Sequence, residues 1–356
     1  MRASAFPARS ATIRDVATRA GVSTATVSRA LRGRVGVDPA TRKRVEVAAL
    51  ELRYRPSRVA RSLKLRATQT IGLIVTDIEN PYFPQIVRAV EDAARERDYS
   101  VILADGRHDP DREIQALEVL AERQVDGLLI ASSALTDRHH SWIDERPCPV
   151  VIINSGSPGP DVPAVLSDNG AGGRLGVEHV LGFGHRHIAY LGAEPSGNIA
   201  VEERLAGTSA ALAEHGLAEG GFTIVYGDGG VESGALAARR ALEQQPGTTA
   251  LVCYNDLTAV GALRGVRSAG LRVPLDVSVV GFDDIELAPY VDPPLTTVRQ
   301  VTDEMGRRAV ATLLDAIEGA PAERPEADAG QSLVQRIQVE LIVRKSTAQV
   351  RSDRPG

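Results

Sequence analysis

The chain has 356 residues, 43% hydrophobic but only 4% aromatic, with 41 Lys and Arg against 46 Asp and Glu for a net charge of -5. That length allows two or three domains and that composition suits a globular α/β protein built on Val, Ile, Leu and Ala. No apolar run is long enough to span a bilayer, so no membrane partner is expected. Charge is unevenly placed: residues 1–66 hold 16 Lys and Arg against 4 Asp and Glu, a net of +12, which leaves -17 for residues 67–356. A basic segment on an acidic body is what phosphate binding requires, because the body alone would be repelled by nucleic acid.

Residues 1–10 carry arginines but no apolar core, so they read as a disordered extension and not as a secretory signal; the expected compartment is the cytoplasm. A helical pattern starts at Thr12, a capping residue with Asp15 at capping-box spacing. Ile13, Val16, Ala17 and Ala20 recur at helical spacing. Gly21 lets the chain turn without a Cβ penalty, and Ser23 can cap a second helix. Helix, tight turn and helix form the helix-turn-helix outline, whose second helix enters a DNA major groove. Val27 and Leu31 read as core of this headpiece. A third helix is expected over 39–52, with Asp38 as cap, Pro39 at the first helical position, and Val45, Ala48, Ala49 and Leu52 as its apolar stripe. Three helices of this size bury only a small core. The run from Tyr54 to Lys64 contains Pro56 and many charges and reads as a poorly packed tether.

From Ile71 the chain alternates apolar strand runs with helical patterns. Strands are expected at 71–76, 101–104, 127–131, 150–154, 164–167, 188–192, 224–226, 250–253 and 277–281, with helices among them at 82–97, 170–181, 201–215 and 257–269. Continuous Val, Ile and Leu runs alternating with helices argue for parallel sheets covered on both faces, and the strand count suggests two doubly wound lobes. Cys148 and Cys253 lie in apolar, strand-like runs and read as buried small hydrophobes, without metal or disulfide spacing. The glycines at 227–230 and 170–173 lack the GxGxxG spacing of a dinucleotide fingerprint. His185 and His187 are too few for a metal site and precede a strand as a turn would. No metal and no cofactor is expected.

The segment 12–64 resembles the headpiece and hinge of the lactose repressor (LacI/GalR) family of bacterial transcription regulators. The likeness rests on "DVA…AGVS…TVSRAL", on "TR…V…A…ELRYRP" and on the hinge run "RVARSLK", and it continues through nearly all of residues 12–345. It implies a three-helix DNA-binding domain at 11–55, a hinge at 56–69, a two-lobed effector-binding and dimerisation body at 70–345 and a polar tail at 346–356. By the same resemblance, Thr24 and Ala25 open the recognition helix and face base edges, and Arg29 can pair with guanine O6 and N7. Thr12, Thr26 and Ser28 position the backbone through phosphates, and Ser23, the cap, is counted with the DNA-binding residues. In the hinge, Arg58, Ala60 and Lys64 match minor-groove contact positions, and Leu63 matches a leucine that wedges between central base pairs and kinks the duplex.

The resemblance also implies a body like periplasmic sugar-binding proteins. Lobe 1 is expected at about 70–168 and 299–328, and lobe 2 at about 169–298 and 329–345. Ligands of open α/β sheets bind outside the carboxyl ends of strands, so two facing lobes form a cleft that closes like a hinge. Candidate ligand residues at those ends are Asp77, Tyr82, Phe83, Asp168, Arg204, Asn255 and Asp283; Arg204 matches the arginine that grips effectors across the family. Asp256 reads equally well as a helix cap, and Asp284 as a turn residue. Where purine-binding members place aromatics this chain has Ser155 and Gly229, and where they place an extra arginine it has Asn198, so a sugar or polyol is favoured. The expected function is an effector-controlled repressor, binding a near-palindromic operator as a homodimer. The polar tail offers no Leu heptads for a tetramer. A solute-binding protein, an activator and a corepressor-dependent repressor are the alternatives; no catalytic constellation is readable.

Overall fold

The computed structural model describes residues 11–31, 36–54, 67–131, 135–155, 159, 161–194, 198–217, 221–319 and 333–351. The chain divides into two compact units, 1–68 and 69–356.

The first unit holds three helices, α1 (Ile13–Ala20), α2 (Thr24–Leu31) and α3 (Pro39–Glu51). The Thr12–Asp15 capping box is formed, with the Thr12 amide donating to Asp15 Oδ2 at 2.7 Å. Gly21 closes α1 in the left-handed region at φ +66°. The Ala40 and Thr41 amides donate to Asp38 Oδ1 at 2.9 and 3.1 Å and start α3. Val16, Val27 and Val45, one from each helix, are fully buried, and five alanines complete the core. Such a core is too thin to give the headpiece much stability of its own.

The second unit contains two six-stranded sheets. Sheet 1 runs β11 (Val334–Ile337), β5 (Ala164–Ser167), β4 (Val150–Ile153), β3 (Gly127–Ala131), β1 (Thr70–Val75), β2 (Ser100–Asp105), all parallel. Sheet 2 runs β12 (Glu340–Ile342), β10 (Thr296–Arg299), β9 (Ser278–Asp283), β8 (Ala250–Cys253), β6 (Ile188–Ala193), β7 (Phe222–Gly227); β12 is the antiparallel member. Helices α4 (Tyr82–Glu96), α5 (Pro110–Glu122) and α6 (Asp137–Asp144) connect strands of sheet 1. Helices α7 (Asn169–Gly182), α8 (Ile199–Glu214), α9 (Val231–Gln244) and α10 (Asp256–Ser268) serve sheet 2, and α11 (Thr302–Glu318) packs on sheet 1. Side chains alternate across each sheet with period two. Ile71, Leu73 and Leu129 join Ile86 and Leu313 on one face of sheet 1, while Ile74, Leu128 and Ile130 join Leu117 on the other. Of the two cysteines, Cys253 is buried in β8, and Cys148 is half-buried with its thiol pushed up to about 11 by burial. No described helix is long and apolar enough to cross a membrane.

Two expected boundaries differ. Residues 334–337 belong to lobe 1, because Val334 pairs with Ala164 and Ile337 with Ser167. The lobe boundary therefore falls between Ile337 and Glu340 and not at 328/329; the strand after α11 fills the open edge of β5 before the chain returns to lobe 2. The tail expected from 346 is built into lobe 2 over its first residues. Ser346 is fully buried, its Oγ donates to the Val279 carbonyl at 2.6 Å, and the Val350 amide donates to the Phe183 carbonyl at 2.9 Å. Polar composition signals a solvated tail only when no sheet edge is waiting for its backbone.

The glycines at 170–173 serve a helix crossing. A Cβ on Gly207 would collide with the Gly170 carbonyl, and one on Gly173 with the Arg204 carbonyl, so α7 and α8 touch backbone to backbone. Gly207→Ala should therefore cost about 1–3 kcal/mol in a urea melt. Gly182→Ala, where an added Cβ meets open space at the end of α7, should be neutral or stabilising by up to about 1 kcal/mol. Equal effects at the two positions would refute the close-contact account.

Candidate functional site

On the headpiece, Val27 and Ala30 of α2 point into the core, which turns the opposite face outward. Thr12, Ser23, Thr24, Ala25 and Arg29 are exposed, and Thr26 and Ser28 half-buried. Ser23 Oγ accepts from the Thr26 amide at 3.1 Å and lies 2.9 Å from the Thr26 hydroxyl, so these two groups also cap the helix. Thr24 and Ala25 put small, exposed side chains at the start of α2, and exposed Arg29 follows one turn later. Arg58, Ala60, Leu63 and Lys64 lie outside the described residues.

In the body, a cavity of about 730 Å³ opens at the carboxyl ends of both sheets. Asp77, Tyr82 and Phe83 enter it from lobe 1, and Arg204, Asn255 and Asp283 from lobe 2. Asp168 does not line it: Asp168 Oδ1 accepts from the Ala171 amide at 3.1 Å and caps α7. A carboxylate at the residue before a helix is drawn to the free first-turn amides, which outweighs its position at a strand end. Asp256 is also turned away, buried against the Thr297 hydroxyl at 2.5 Å and the Ile285 amide at 2.9 Å. Asp284 is bridged by Arg299 and Arg344, both at 2.7 Å, as a structural turn residue would be.

The cleft floor is a closed polar network. Arg204 is 3% exposed; its Nε donates to Asn169 Oδ1 at 2.9 Å and its Nη1 to the Tyr254 carbonyl at 2.8 Å. Arg204 Nη1 lies 3.6 Å from Asp283 Oδ1, and the guanidinium stacks 3.6 Å from the Phe282 ring centroid. Gln300 Nε2 donates to the same Asp283 oxygen at 2.6 Å. Gln300 Oε1 accepts from Ser167 Oγ at 2.6 Å, Asn154 Nδ2 at 3.0 Å and the Tyr82 hydroxyl at 3.3 Å. Asp283 and Asn154 have φ of +124° and +52°. Non-glycine residues persist in such conformations only where surrounding contacts hold them, as this network does.

Gln300, Asn154, Ser167 and Asn169 were not among the expected ligand residues. Asn154 was findable, since it closes an apolar strand run at the cleft end. Gln300 follows the short strand β10, and only the fold brings it to Tyr82.

Burial pushes the Asp283 carboxyl up to about 6, against the downward pull of Arg204 and then of the Gln300 hydrogen bond. Burial, and then the charge of Asp283, raises Asp256. Near neutral pH the cleft floor therefore holds an ionised Asp283 facing Arg204, with a carboxylate able to accept from ligand hydroxyls.

A helix-turn-helix headpiece joined to a two-lobed body with a polar interlobe cleft defines a ligand-responsive DNA-binding regulator. The chain belongs to the LacI family of bacterial regulatory proteins: residues 12–57 match "Bacterial regulatory proteins, lacI family" and residues 68–345 match "Periplasmic binding proteins and sugar binding domain of LacI family". It is 38% identical over 328 residues to the HTH-type transcriptional repressor PurR of Erwinia tasmaniensis, covering 92% of this chain and 96% of that one. Identity to PurR of Aliivibrio fischeri strain MJ11 is 37% over 317 residues, covering 88% and 94%. Among solved structures it is similar to the lac repressor dimer bound to operator and the anti-inducer ONPF (TM-score 0.82, 31% identity, 96% and 100% covered). It is also similar to the CelR–cellobiose complex (TM-score 0.70, 34% identity, 94% and 99% covered).

Gln300→Leu should cost about 1–3 kcal/mol of stability, because it removes the hydrogen-bond partner that buried Ser167 and Asp283 share with Asn154. A urea melt measures this, and an unchanged midpoint would show that the network is not cooperative. A carboxyl whose pKa is raised on folding contributes stability that is full below its unfolded value and lost as pH rises through the folded value, here about 6. Between about pH 5 and pH 7.5 wild type should thus lose stability relative to Asp283→Asn. A constant gap across that window would mean that Asp283 does not titrate there.

Proposed function

We propose that the chain is an operator-binding repressor whose DNA affinity is set by a sugar or polyol held in the interlobe cleft. The observation that carries this reading is the Arg204–Asp283 pair on the cleft floor of a chain that also bears an outward, basic recognition helix. Guanidinium, carboxylate and amide groups converging on one cavity hold hydroxyls directionally, and Phe83 and Tyr254 add apolar lining.

Gly229 and Asn198 line the cleft. By the resemblance, purine-binding members carry an aromatic and an arginine at these two positions, which speaks for a sugar even though the curated relatives named above are PurR repressors. Ser155, the third such position, is buried and does not line the cavity. Asp283 Oδ1 is already engaged by Gln300 and Arg204, which fits binding without turnover.

In this reading two chains hold a near-palindromic operator, one headpiece per half-site. Thr24, Ala25 and Arg29 read bases, while Thr12, Ser23, Thr26 and Ser28 meet phosphates. Arg58, Ala60 and Lys64 enter the minor groove, and Leu63 supplies the wedge. Ligand closes the lobes and changes hinge spacing, so effector and operator weaken each other by the same factor.

The test is selection of fragmented source-genome DNA by the full-length protein at fixed salt, with and without a sugar mixture. Enrichment of a palindrome that the sugars abolish is expected; no enrichment under either condition would overturn the reading. On the selected site, Arg29→Ala should cost about 1–3 kcal/mol and relax one base position. Leu63→Ala should weaken specific binding more than non-specific binding, and an equal loss would remove the wedge role.

A further inference from the structure

The charges of the cleft narrow the effector beyond a polyol. The charged side chains that line it are Asp77, Glu194, Asp228 and Asp283 against Arg204, and the His108 ring lies 3.3 Å from Asp77. Four carboxylates against one guanidinium leave the described lining at -3. Arg204 is buried, it donates to Asn169 and to the Tyr254 carbonyl, and its charge is already faced by Asp283 at 3.6 Å, which weakens its pull on an anion.

The loops joining strand ends to helices carry the same bias. The segments 76–81, 106–109, 132–136, 194–198, 228–230 and 254–255 contain five Asp and Glu and a single arginine, Arg107. Arg107 pairs with Asp105 at 3.4 Å. Arg112 and Arg138, in the first turns of α5 and α6, pair with Asp109 and Asp111. Helix N-termini ordinarily attract anions, but those at this cleft already have acceptors. Gly230 donates to Asp228 at 2.8 Å, Ala200 to Asn198 at 3.0 Å and Thr258 to Asn255 at 2.8 Å.

The carboxylates also sit on both jaws, Asp77 on lobe 1 and Glu194, Asp228 and Asp283 on lobe 2. Closure brings like charges together. A neutral ligand rich in hydroxyl donors bridges them, whereas a phosphate adds to the repulsion. A cation is not demanded either: Asp283 has Arg204, Asp77 has the Glu79 amide and His108, and Asp228 has the Gly230 amide. The cavity of about 730 Å³ is several times the size of one sugar ring.

We infer that the effector is an uncharged saccharide of at least two rings, and that the cleft rejects its phosphorylated counterpart. This rests on the sugar-responsive reading above. The probes are cellobiose, maltose, lactose, sucrose and trehalose with their 6-phosphates, together with glucose, ribose, glucosamine and hypoxanthine. Each is titrated calorimetrically into the full-length protein at low and high salt. One neutral disaccharide should bind, with its 6-phosphate weaker by about tenfold or more at low salt. Added salt should narrow that gap by screening, and so should the double substitution Asp77→Asn with Asp228→Asn. A 6-phosphate binding as tightly as its neutral partner overturns the inference. So does a monosaccharide that matches the best disaccharide, binding confined to glucosamine or hypoxanthine, or silence from every disaccharide. Operator retention by the same sample separates the two readings. If DNA is still selected while the disaccharides are silent, the regulator stands and this inference falls; if neither binds, both fall.

Discussion

A buried guanidinium is expensive unless every donor is answered, and in this protein the partners of Arg204 organise the whole body. Asn169 opens α7, Tyr254 follows β8, and Asp283 ends β9. Through Asp283 the network reaches Gln300, which lies where the chain passes from sheet 2 to α11 on sheet 1. Gln300 in turn accepts from Ser167 at the end of β5, from Asn154 after β4 and from Tyr82 on α4. A ligand that adds donors or acceptors on this floor acts on groups belonging to both lobes. The cleft floor and the lobe junction therefore share one hydrogen-bond network.

A second link between the lobes lies away from the cavity. Arg336 of β11 grips Glu203 of α8 with two hydrogen bonds, at 2.6 and 2.9 Å. Glu203 precedes Arg204 on the same helix, and α8 is pressed backbone to backbone on α7 by Gly173 and Gly207. Motion of α8 about the cleft thus changes a pairing with lobe 1 as well as one within lobe 2. The pair is partly exposed, so its weight is that of orientation more than of stability.

The distribution of charge serves two ends. The headpiece segment holds +12 and the remainder -17. The positive part meets DNA phosphates, and the negative part keeps the body off the duplex. The same acidity continues into the cleft, whose described lining sets four carboxylates against one guanidinium.

The headpiece caps, the strands β1 to β9 and the helices α4, α7, α8 and α10 were legible in the sequence because they rest on local physics. Thr12 and Asp15 are three residues apart, Asp38 caps α3 across two, and continuous apolar runs mark the strands buried on both faces. Strand ends pointed to Asp77, Tyr82, Phe83, Asn255 and Asp283, because α/β sheets present those ends to a common crevice, while the family resemblance pointed to Arg204. Tertiary structure alone decided the rest. It placed β11 beside β5 and docked Ser346 on β9, since an open sheet edge takes whichever strand reaches it. It turned Asp168 to its own helix, where first-turn amides lay nearer than the cleft. It joined Gln300 to Tyr82 across 218 residues. No local pattern encodes that last contact, because its two ends become neighbours only after both sheets have formed and the chain has crossed between them.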